Sequence, residues 1–274
     1  DGCDYSCSYC TIPKARGKSR NPKIEILVEQ VENLVSKGIL EIVLTGVNTG
    51  DFGKTTGESF LDLLKSLDKI SGSHRYRISS IEPNLLTEEI ILFTKSSVHF
   101  TPHFHIPLQS GSDEILKKMS RRYLRDVFEQ KVRFIHQVMP EASIGADVIV
   151  GFPGESNENF DDAYDFLEKL PVSYLHVFTY SERPGTPAAE MPHPVQNRIR
   201  DERSQKLHQL SDSKKMDFYS SQIGTTRWLI PEGNKSNKLH GFTENYVETI
   251  IENNEAPQQV PIKIRLLNLN DQGK

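Results

Sequence analysis

The sequence predicts an α/β fold in two parts, a large core over residues 1–220 and a small all-β module over residues 221–274. In the core, short apolar runs typical of buried strands alternate with helical patterns, which indicates a parallel sheet built of βα units. In the module, short runs with strand-like alternation follow one another closely. A chain of 274 residues is long enough for one large α/β domain and such a module.

The core elements can be placed in chain order. A helical pattern through Leu27 and Val31 ends at Gly38, a residue that suits a helix C-terminus. A buried strand follows at 41–46, and Ser59 is suited to cap the next helix. The remaining core strands are predicted at 75–80, 103–108, 144–152 and 174–181, with helices near 87–96, 112–119, 122–139 and 160–170.

A long polar helix ends the core. It starts after Pro194, continues to about Ser220 and is broken by Gly224. Farther on, Ile262 and Ile264 alternate with charged residues in the pattern of a half-buried strand. Roughly fifty residues of this kind indicate a small β-barrel appended to the core.

Composition excludes several classes of protein. The net charge of −4 gives no support for nucleic-acid binding from bulk charge. No run approaches the ~18 apolar residues of a membrane helix, and no secretory segment is visible, so we expect no membrane association. Three cysteines cannot all form disulfides, which favours a reducing, cytoplasmic setting. Because the chain opens at Asp1 on a cysteine motif, we expect a fragment that lacks an upstream strand or domain.

All three cysteines lie in the segment CDYSCSYC, where Cys3, Cys7 and Cys10 have the spacing C-x3-C-x2-C. A structural zinc site normally needs four protein ligands, and the nearest downstream histidine is His74. Iron–sulfur clusters are also held by closely spaced thiolates, and three ligands leave one iron open, as a reactive cofactor site requires. We therefore expect an iron–sulfur cluster. An incomplete zinc site and cysteines with no common role remain the alternatives.

Polar residues stand where the predicted apolar strands end. The segment TGVNTGDFG (45–53) has glycines that permit close backbone approach, and Thr45 and Asn48 could hydrogen-bond a ligand there. Glu82 and Gln109 follow the next two predicted strands. For each of these segments alone, a capping or turn role is the simpler interpretation.

One acidic residue lies inside a predicted strand rather than at its end. Asp147 is surrounded by apolar residues in GADVIVGFPGE, and a buried carboxylate is costly unless it is paired or used. Asp147 is therefore of more interest than Glu155 on the following loop. Beyond the last core strand, Arg183 stands beside a Pro-Gly turn, where it could brace the turn or bind a phosphate or carboxylate.

Two basic stretches are candidates for phosphate contacts. KARGKSR (14–20) includes Arg16 and Arg20 and lies next to the cysteine segment. KKMSRRYLR (117–125) is the second, with Tyr123 as a candidate stacking residue. A solvated face is the usual explanation of such a charge run, and steering of phosphates is the alternative.

The cysteine spacing, with the aromatic Tyr9 before the third cysteine, resembles the signature of the radical S-adenosylmethionine (SAM) superfamily. The resemblance implies a 4Fe–4S cluster on Cys3, Cys7 and Cys10 whose open iron binds the amino and carboxylate groups of SAM. One electron then cleaves SAM to methionine and a 5′-deoxyadenosyl radical, while the protein supplies position and a dry pocket. The resemblance also implies that Tyr9 lies near the adenine, and packing beneath the loop is a compatible alternative.

A longer resemblance covers residues 1 to about 190. The segments CSYCTIPKARG, TGVNTGDFG, HIPLQSGS, DVIVGFPGE and YSERPGTPA occur in the order found in the methylthiotransferase branch of that superfamily. This implies a partial (β/α)6 radical SAM barrel, and the tail resembles a TRAM domain, a small barrel that binds RNA in most relatives. The implied SAM-pocket residues are Thr45, Gly46, Asn48, Glu82, Gln109, Asp147, Ile149 and Gly151, the last two beside the adenine. The candidate substrate contacts are Arg16, Arg20 and Arg183.

The tail also bears on the substrate. GFTENYV (241–247) is similar to the branch that acts on N6-threonylcarbamoyladenosine at position 37 of tRNA, immediately 3′ of the anticodon. We therefore expect conversion to the 2-methylthio derivative, with one SAM supplying the methyl group and another the radical. The expected partners are the anticodon loop of tRNA and a reductant such as flavodoxin or ferredoxin. Methylthiolation of a ribosomal-protein aspartate is one alternative, and a non-catalytic metal-containing RNA-binding protein is the other.

The resembling proteins usually carry an N-terminal domain whose three cysteines hold a second 4Fe–4S cluster. This chain has no further cysteines, so we expect that domain to be missing and the fragment alone to be unable to complete sulfur insertion. In the tail, Trp228, Phe242 and Tyr246 could stack on RNA bases or form the module's core. For Trp228 we favour the core.

Overall fold

A computed structural model describes residues 1–235, 238–251 and 260–269. Its core contains a five-stranded parallel sheet in the order β1-β2-β3-β4-β5. The predicted α/β class and all five predicted strands are confirmed, with ends that differ by a few residues. The strands are β1 Glu41–Leu44, β2 Arg75–Ile78, β3 Phe100–Gln109, β4 Ser143–Val150 and β5 Tyr174–Thr179.

Helices connect the strands and cover one face of this sheet. Ser59 caps α3 as predicted, since its side chain accepts a hydrogen bond from the Asp62 backbone N–H at 3.1 Å. The five-residue α1 was not predicted, because so short a helix shows no apolar period. The helices are α1 Ile12–Arg16, α2 Ile24–Ser36, α3 Phe60–Leu67, α4 Glu88–Ser96, α5 Asp113–Lys118, α6 Arg125–Val138, α7 Asn157–Lys169 and α8 Asn197–Gln222.

The two faces of the parallel sheet differ in polarity. Alternate residues such as Ile78 and Val148 join the apolar core beneath the helices. Their strand neighbours Arg77 and Asp147 project from the opposite face, which we call the polar face. Parallel sheets usually bury apolar residues on both sides, so a polar second face indicates a surface with a use.

The long helix α8 is attached to the core largely by charged side chains. Leu207 and Leu210 are buried, as the sequence predicts. Lys214 is also buried, and its Nζ donates to the carbonyl oxygens of Glu168 and Leu170 at 3.0 and 2.8 Å. These bonds satisfy carbonyl groups at the end of α7 that have no partner within that helix. The helix can therefore be polar overall and still be held firmly.

The C-terminal module contains a four-stranded antiparallel sheet in the order β8-β7-β6-β9. Its strands are β6 Thr226–Lys235, β7 Lys238–Thr243, β8 Glu248–Ile251 and β9 Ile262–Arg265. Residues 236–237, 252–259 and 270–274 of the predicted module lie outside the described residues. Trp228 is 51% exposed, so its interpretation as a core residue is wrong.

The second sheet packs against the start of strands in the first. Arg75, the first residue of β2, donates to the carbonyl oxygens of Trp228 and Phe242 at 3.2 and 3.1 Å. Asn245 donates to the carbonyl oxygen of Glu141, which precedes β4, at 2.9 Å. The module therefore lies at the end of the parallel sheet opposite the loops that follow the strands. Within the described ranges, no helix has the length and apolarity needed to cross a membrane.

Candidate functional site

The cysteine loop, residues 3–10, is anchored to two distant segments through Ser8. The Ser8 backbone N–H donates to the Met119 carbonyl oxygen at 3.0 Å, and its hydroxyl donates to that of Lys118 at 2.8 Å. The Ala188 backbone N–H in turn donates to the Ser8 carbonyl oxygen at 2.8 Å. The loop is thus held between the end of α5 and the short 3-10 helix that follows β5.

Cys3, Cys7 and Cys10 are all free and half-buried. Burial raises the pKa of the Cys3 and Cys7 thiols. The Tyr5 backbone N–H opposes this at Cys3 by donating to its sulfur at 3.4 Å. The Ile12 backbone N–H donates to the Cys10 sulfur, also at 3.4 Å. The loop therefore contains half-buried thiols, and backbone N–H groups donate to the sulfur atoms of two of them.

The number of thiols bears on the kind of metal site. A structural zinc ion normally takes four protein ligands, and the chain has three cysteines. Among the described residues, the metal-ligand type side chains whose donor atoms meet within 4.8 Å are His105, Asp147 and His176, which do not include a cysteine. Three thiolates are the protein ligands of a 4Fe–4S cluster with one open iron. The cysteine loop therefore has the ligand number that such a cluster needs.

One guanidinium connects the loop to the end of β2. Arg121 Nη1 donates to Cys7 Sγ at 3.1 Å and to the Tyr9 hydroxyl at 3.2 Å. Its Nη2 donates to the Tyr123 hydroxyl at 2.8 Å and forms an ion pair with Glu82. Burial raises the pKa of Glu82, and Arg121 opposes that effect. The structure therefore brings Cys7, Tyr9 and Glu82 together around Arg121, a residue that the sequence did not single out.

Arg121 lies in the basic stretch 117–125, which was considered for phosphate contacts. Its side chain is only 4% exposed, and both of its terminal nitrogens bond to groups inside the protein. Tyr123 is buried too, and its hydroxyl donates to the Pro107 carbonyl oxygen. The candidate role of Tyr123 as a stacking residue is therefore wrong. The buried tyrosine and arginine of this stretch shape the cysteine site instead.

Tyr9 and Ile149 lie against a small apolar cluster. Its buried members include Met119, Phe152 and Tyr180, and the Tyr9 ring meets that of Phe152 edge to face at 6.4 Å between centroids. Both interpretations of Tyr9, packing beneath the loop and bordering an adenine, are compatible with this position. The cluster gives the cysteine site a wall from which water is excluded.

Gly151 follows β4 in a left-handed conformation, with φ of 75°. A Cβ atom there would lie 2.3 Å from Arg200 Cγ, so the position requires glycine. Its N–H donates to Glu155 Oε2 at 2.7 Å, and the same oxygen accepts from Arg203 Nη1 at 2.7 Å. Glu155, which seemed less interesting than Asp147, is thus a buried anchor for this turn. Nothing local in the sequence pairs it with Arg203.

Other predicted SAM-pocket residues lie after β1 and β3. Thr45, Gly46 and Asn48 line a cavity of about 310 Å³ together with Arg20. Asn48 donates through Nδ2 to Asp51 at 2.8 Å, while its buried Oδ1 has no partner among the described residues. Gln109 ends β3 with a φ of 72°, an uncommon value for a residue other than glycine.

Asp147 is bonded to two histidines across the polar face. His105 Nε2 lies 2.7 Å and His176 Nδ1 lies 3.5 Å from Asp147 Oδ1. Burial alone would raise the pKa of Asp147, but the two histidines lower it to about 2. Neither histidine was singled out from the sequence. The available signal was their alternation with apolar residues in strands 103–108 and 174–181.

The three predicted substrate contacts are on the surface near the cysteine loop. Arg16 and Arg20 are both exposed and form ion pairs with Asp1. Arg183 is exposed on a turn that contacts α1, because Lys14 Nζ donates to the Gly185 carbonyl oxygen. Two basic segments that are distant in sequence therefore share one rim.

Comparisons with known proteins support the resemblance to the methylthiotransferase branch. A family model described as the radical SAM superfamily matches residues 1–167. Threonylcarbamoyladenosine tRNA methylthiotransferase MtaB of Aquifex aeolicus is 41% identical over 90% of this chain and 60% of its own length. A tRNA-2-methylthio-N(6)-dimethylallyladenosine synthase of Pelotomaculum thermopropionicum is 36% identical over 85% of this chain and 53% of its own. The chain thus spans about 60% of the Aquifex relative.

The fold has a counterpart among solved structures. The radical SAM methyltransferase TsrM of Kitasatospora setae, solved with cobalamin and a 4Fe–4S cluster, has a TM-score of 0.58 at 19% identity. The match covers 69% of this chain and 37% of that one. At this identity the likeness concerns the fold alone, and it agrees with the predicted α/β core.

Proposed function

The chain belongs to the radical SAM superfamily, and from that premise we propose that it is the catalytic core of a tRNA methylthiotransferase. Its substrate is N6-threonylcarbamoyladenosine at position 37 of tRNA, and its product is the 2-methylthio derivative. The observation that carries this proposal is the 41% identity to the Aquifex enzyme of that name over 90% of the chain. The three thiols agree with a cluster that leaves one iron open, and they are one fewer than the protein ligands that a structural zinc ion normally takes.

Cys3, Cys7 and Cys10 would hold a 4Fe–4S cluster whose open iron binds SAM. The two cofactors together supply the one-electron chemistry and the methyl group. The chain's own contribution is to place charge and exclude water around them. Arg121 directs an N–H at Cys7 sulfur, which stabilises the thiolate form that a metal ligand needs. Tyr9 and the apolar cluster around Phe152 form a dry wall beside it.

The SAM pocket is proposed between the ends of β1, β3 and β4. Asn48 has a buried side-chain oxygen without a partner among the described residues, as suits a group that accepts from a ligand N–H. The left-handed Gly151 lets the backbone after β4 approach closely, beside Ile149. The remaining proposed members are Thr45, Gly46, Glu82 and Gln109.

The tRNA would contact the basic rim and the C-terminal module. Arg16, Arg20 and Arg183 are exposed and can meet backbone phosphates. Trp228 presents an exposed ring, with Lys263 Nζ 5.9 Å from its centroid, and can stack on a base. These features fit a TRAM-like RNA-binding module that contacts the anticodon loop. A cytoplasmic location and a flavodoxin- or ferredoxin-type reductant belong to the same proposal.

Three cysteines suffice for one cluster of this kind, so the second cluster implied by the resemblance needs ligands from outside this chain. The test therefore uses the complete gene product that carries the chain, reconstituted anaerobically with iron and sulfide. It is given SAM, dithionite and tRNA that contains threonylcarbamoyladenosine, and digested tRNA is examined by mass spectrometry.

We expect the 2-methylthio nucleoside from the wild-type protein and none from Cys10→Ala, which should also form no 5′-deoxyadenosine. Ribosomal protein and tRNA that contains dimethylallyladenosine serve as competing substrates. Modification of either competitor without modification of the threonylcarbamoyl tRNA would refute the substrate assignment. Absence of SAM cleavage by fully reconstituted protein would refute the enzyme class.

A further inference from the structure

A cavity of about 350 Å³ lies between the polar face of the parallel sheet and the second sheet. We call it the sheet cavity. Its size is that of a small-ligand site, and its lining combines aromatic and apolar surface with several nitrogen and hydroxyl groups. The lining groups that matter here belong to Arg77, His103, His105, Tyr174, His176 and Tyr246.

Arg77 supplies the guanidinium group of the sheet cavity. It donates to Glu41 at 3.2 Å through Nε and at 2.9 Å through Nη2. Glu41 also forms an ion pair with Arg75, so one carboxylate is shared by two guanidinium groups. A further acid that lines the cavity, Glu232, is exposed. The cation therefore lies on the buried wall, and its carboxylate partner is shared with a second arginine.

Two buried polar atoms in this wall lack protein partners. Arg77 is 4% exposed, and its Nη1 has no hydrogen-bond partner among the described residues. The same holds for Nδ1 of His103, whose Nε2 is 2.8 Å from the Tyr174 hydroxyl. The Arg77 guanidinium also lies over the Tyr246 ring, 4.5 Å from its centroid. A polar atom without a partner in a buried wall is unfavourable, so these two atoms indicate a ligand that would pair them.

A second polar group lines the cavity at His176. Its side chain is 52% exposed, and its Nδ1 is 3.5 Å from Asp147 Oδ1. Asp147 is already fixed by His105 Nε2 at 2.7 Å. With Nδ1 turned to Asp147, the Nε2 atom lies on the other side of the ring, where a polar group of a ligand in the sheet cavity can bond to it.

We infer that the sheet cavity receives the N6 substituent of the substrate adenosine, and that Arg77 and His176 bind the carboxylate of that substituent. The inference rests on the proposed function and adds its specificity-determining residues. A threonylcarbamoyl group carries a carboxylate, a hydroxyl and urea-type N–H groups, which can pair the orphaned atoms of the wall. A dimethylallyl group has none of these. It would shield Arg77 Nη1 and His103 Nδ1 from water without giving either atom a hydrogen-bond partner.

The experiment uses His176→Phe, because this side chain is half-exposed and its replacement should leave the fold intact. The complete gene product is reconstituted, and kcat/KM is measured on two tRNAs that differ only in having threonylcarbamoyl- or dimethylallyladenosine. We expect at least a tenfold fall on the threonylcarbamoyl tRNA, with no fall on the dimethylallyl tRNA. SAM cleavage without tRNA should be unchanged. His136→Phe, on the exposed side of α6, is the matched control and should behave as wild type.

A binding measurement keeps the inference separate from the proposed function. Calorimetry compares N6-threonylcarbamoyladenosine with the analogue in which the carboxylate is a carboxamide. Wild-type protein should bind the carboxylate form at least tenfold more tightly, and both His176→Phe and His176→Gln should lose most of that preference. Equal binding of the two nucleosides by wild type, or an unchanged preference in both variants, overturns the inference. Failure of methylthiolation with the preference intact overturns only the proposed function.

Discussion

Arg121 and Cys7 are in direct contact although 114 positions separate them, with Nη1 of the guanidinium 3.1 Å from Sγ of the cysteine. The same side chain forms an ion pair with Glu82 and is 4% exposed. A buried cation is stable only where its charge and its N–H groups are matched. The Arg121 side chain therefore connects the cysteine loop to the end of β2, and it stabilises the position of both.

Replacing Arg121 should weaken retention of the cluster. In Arg121→Lys the positive charge remains, but one ammonium cannot reach Cys7, Tyr9, Tyr123 and Glu82 together as the planar guanidinium does. We expect iron to be lost to a chelator several-fold faster than from wild type after identical reconstitution. Arg133→Lys, which changes an exposed ion pair on α6, is the control. Equal rates of iron loss in all three proteins would contradict the role assigned to Arg121.

The Glu155–Arg203 pair should be a major source of stability. Both side chains are almost fully buried, at 2% and 6% exposure, and Glu155 also holds the Gly151 N–H. Glu155→Gln leaves a buried cation without its counter-charge, which costs about 3–5 kcal/mol. Urea titration should show this loss, and Glu155→Gln combined with Arg203→Met should recover part of it. Glu202→Gln, in an ion pair whose partner Arg198 is 80% exposed, should cost less than ~1 kcal/mol. Similar losses for Glu155→Gln and Glu202→Gln would argue against this account.

The sequence allowed good prediction of the strands, because each βα unit has its own local pattern. Parallel strands such as β4 are apolar runs bounded by polar loops, and this remains visible without tertiary information. The cysteine loop was equally easy to recognise as a candidate site, since its spacing lies within eight residues. Both features depend on interactions between residues that are close in the chain.

The rest of the site could not be predicted, because it depends on contacts across the fold. Arg121 looked like one charge in a solvated basic run, and only its position opposite Cys7 and Glu82 makes it a buried anchor. Trp228 looked like a core residue because large aromatic residues usually are, yet its face of β6 is half-exposed. A local pattern shows that a strand alternates, but it does not show what covers each side.

Asp147 should make stability depend on pH in the acid range. Its pKa in the folded protein is lowered from 3.8 to about 2, in spite of burial, by His105 and His176. A lowered folded-state pKa contributes stability above the unfolded pKa, and that contribution is lost as pH falls from about 4 to 2. The shift corresponds to about 2 kcal/mol. Urea titrations of the iron-free protein should show this difference between wild type and Asp147→Asn at pH 7, and convergence as pH approaches 2. A difference that stays constant over this range would contradict the ionised pair.

Trp228 offers a test of the module as an RNA-binding surface. Its ring is 51% exposed, so Trp228→Ala should leave the free energy of unfolding within about 0.5 kcal/mol of wild type. Loss of one base-stacking contact costs about 1–3 kcal/mol, so Kd for tRNA should rise about tenfold. Val98→Ala, which removes an 86% exposed apolar side chain from the core surface, is the control and should not change Kd. Fluorescence anisotropy at one fixed salt concentration gives both values, because phosphate contacts change strongly with salt. A Kd unchanged by Trp228→Ala would mean that this face of the module does not contact tRNA.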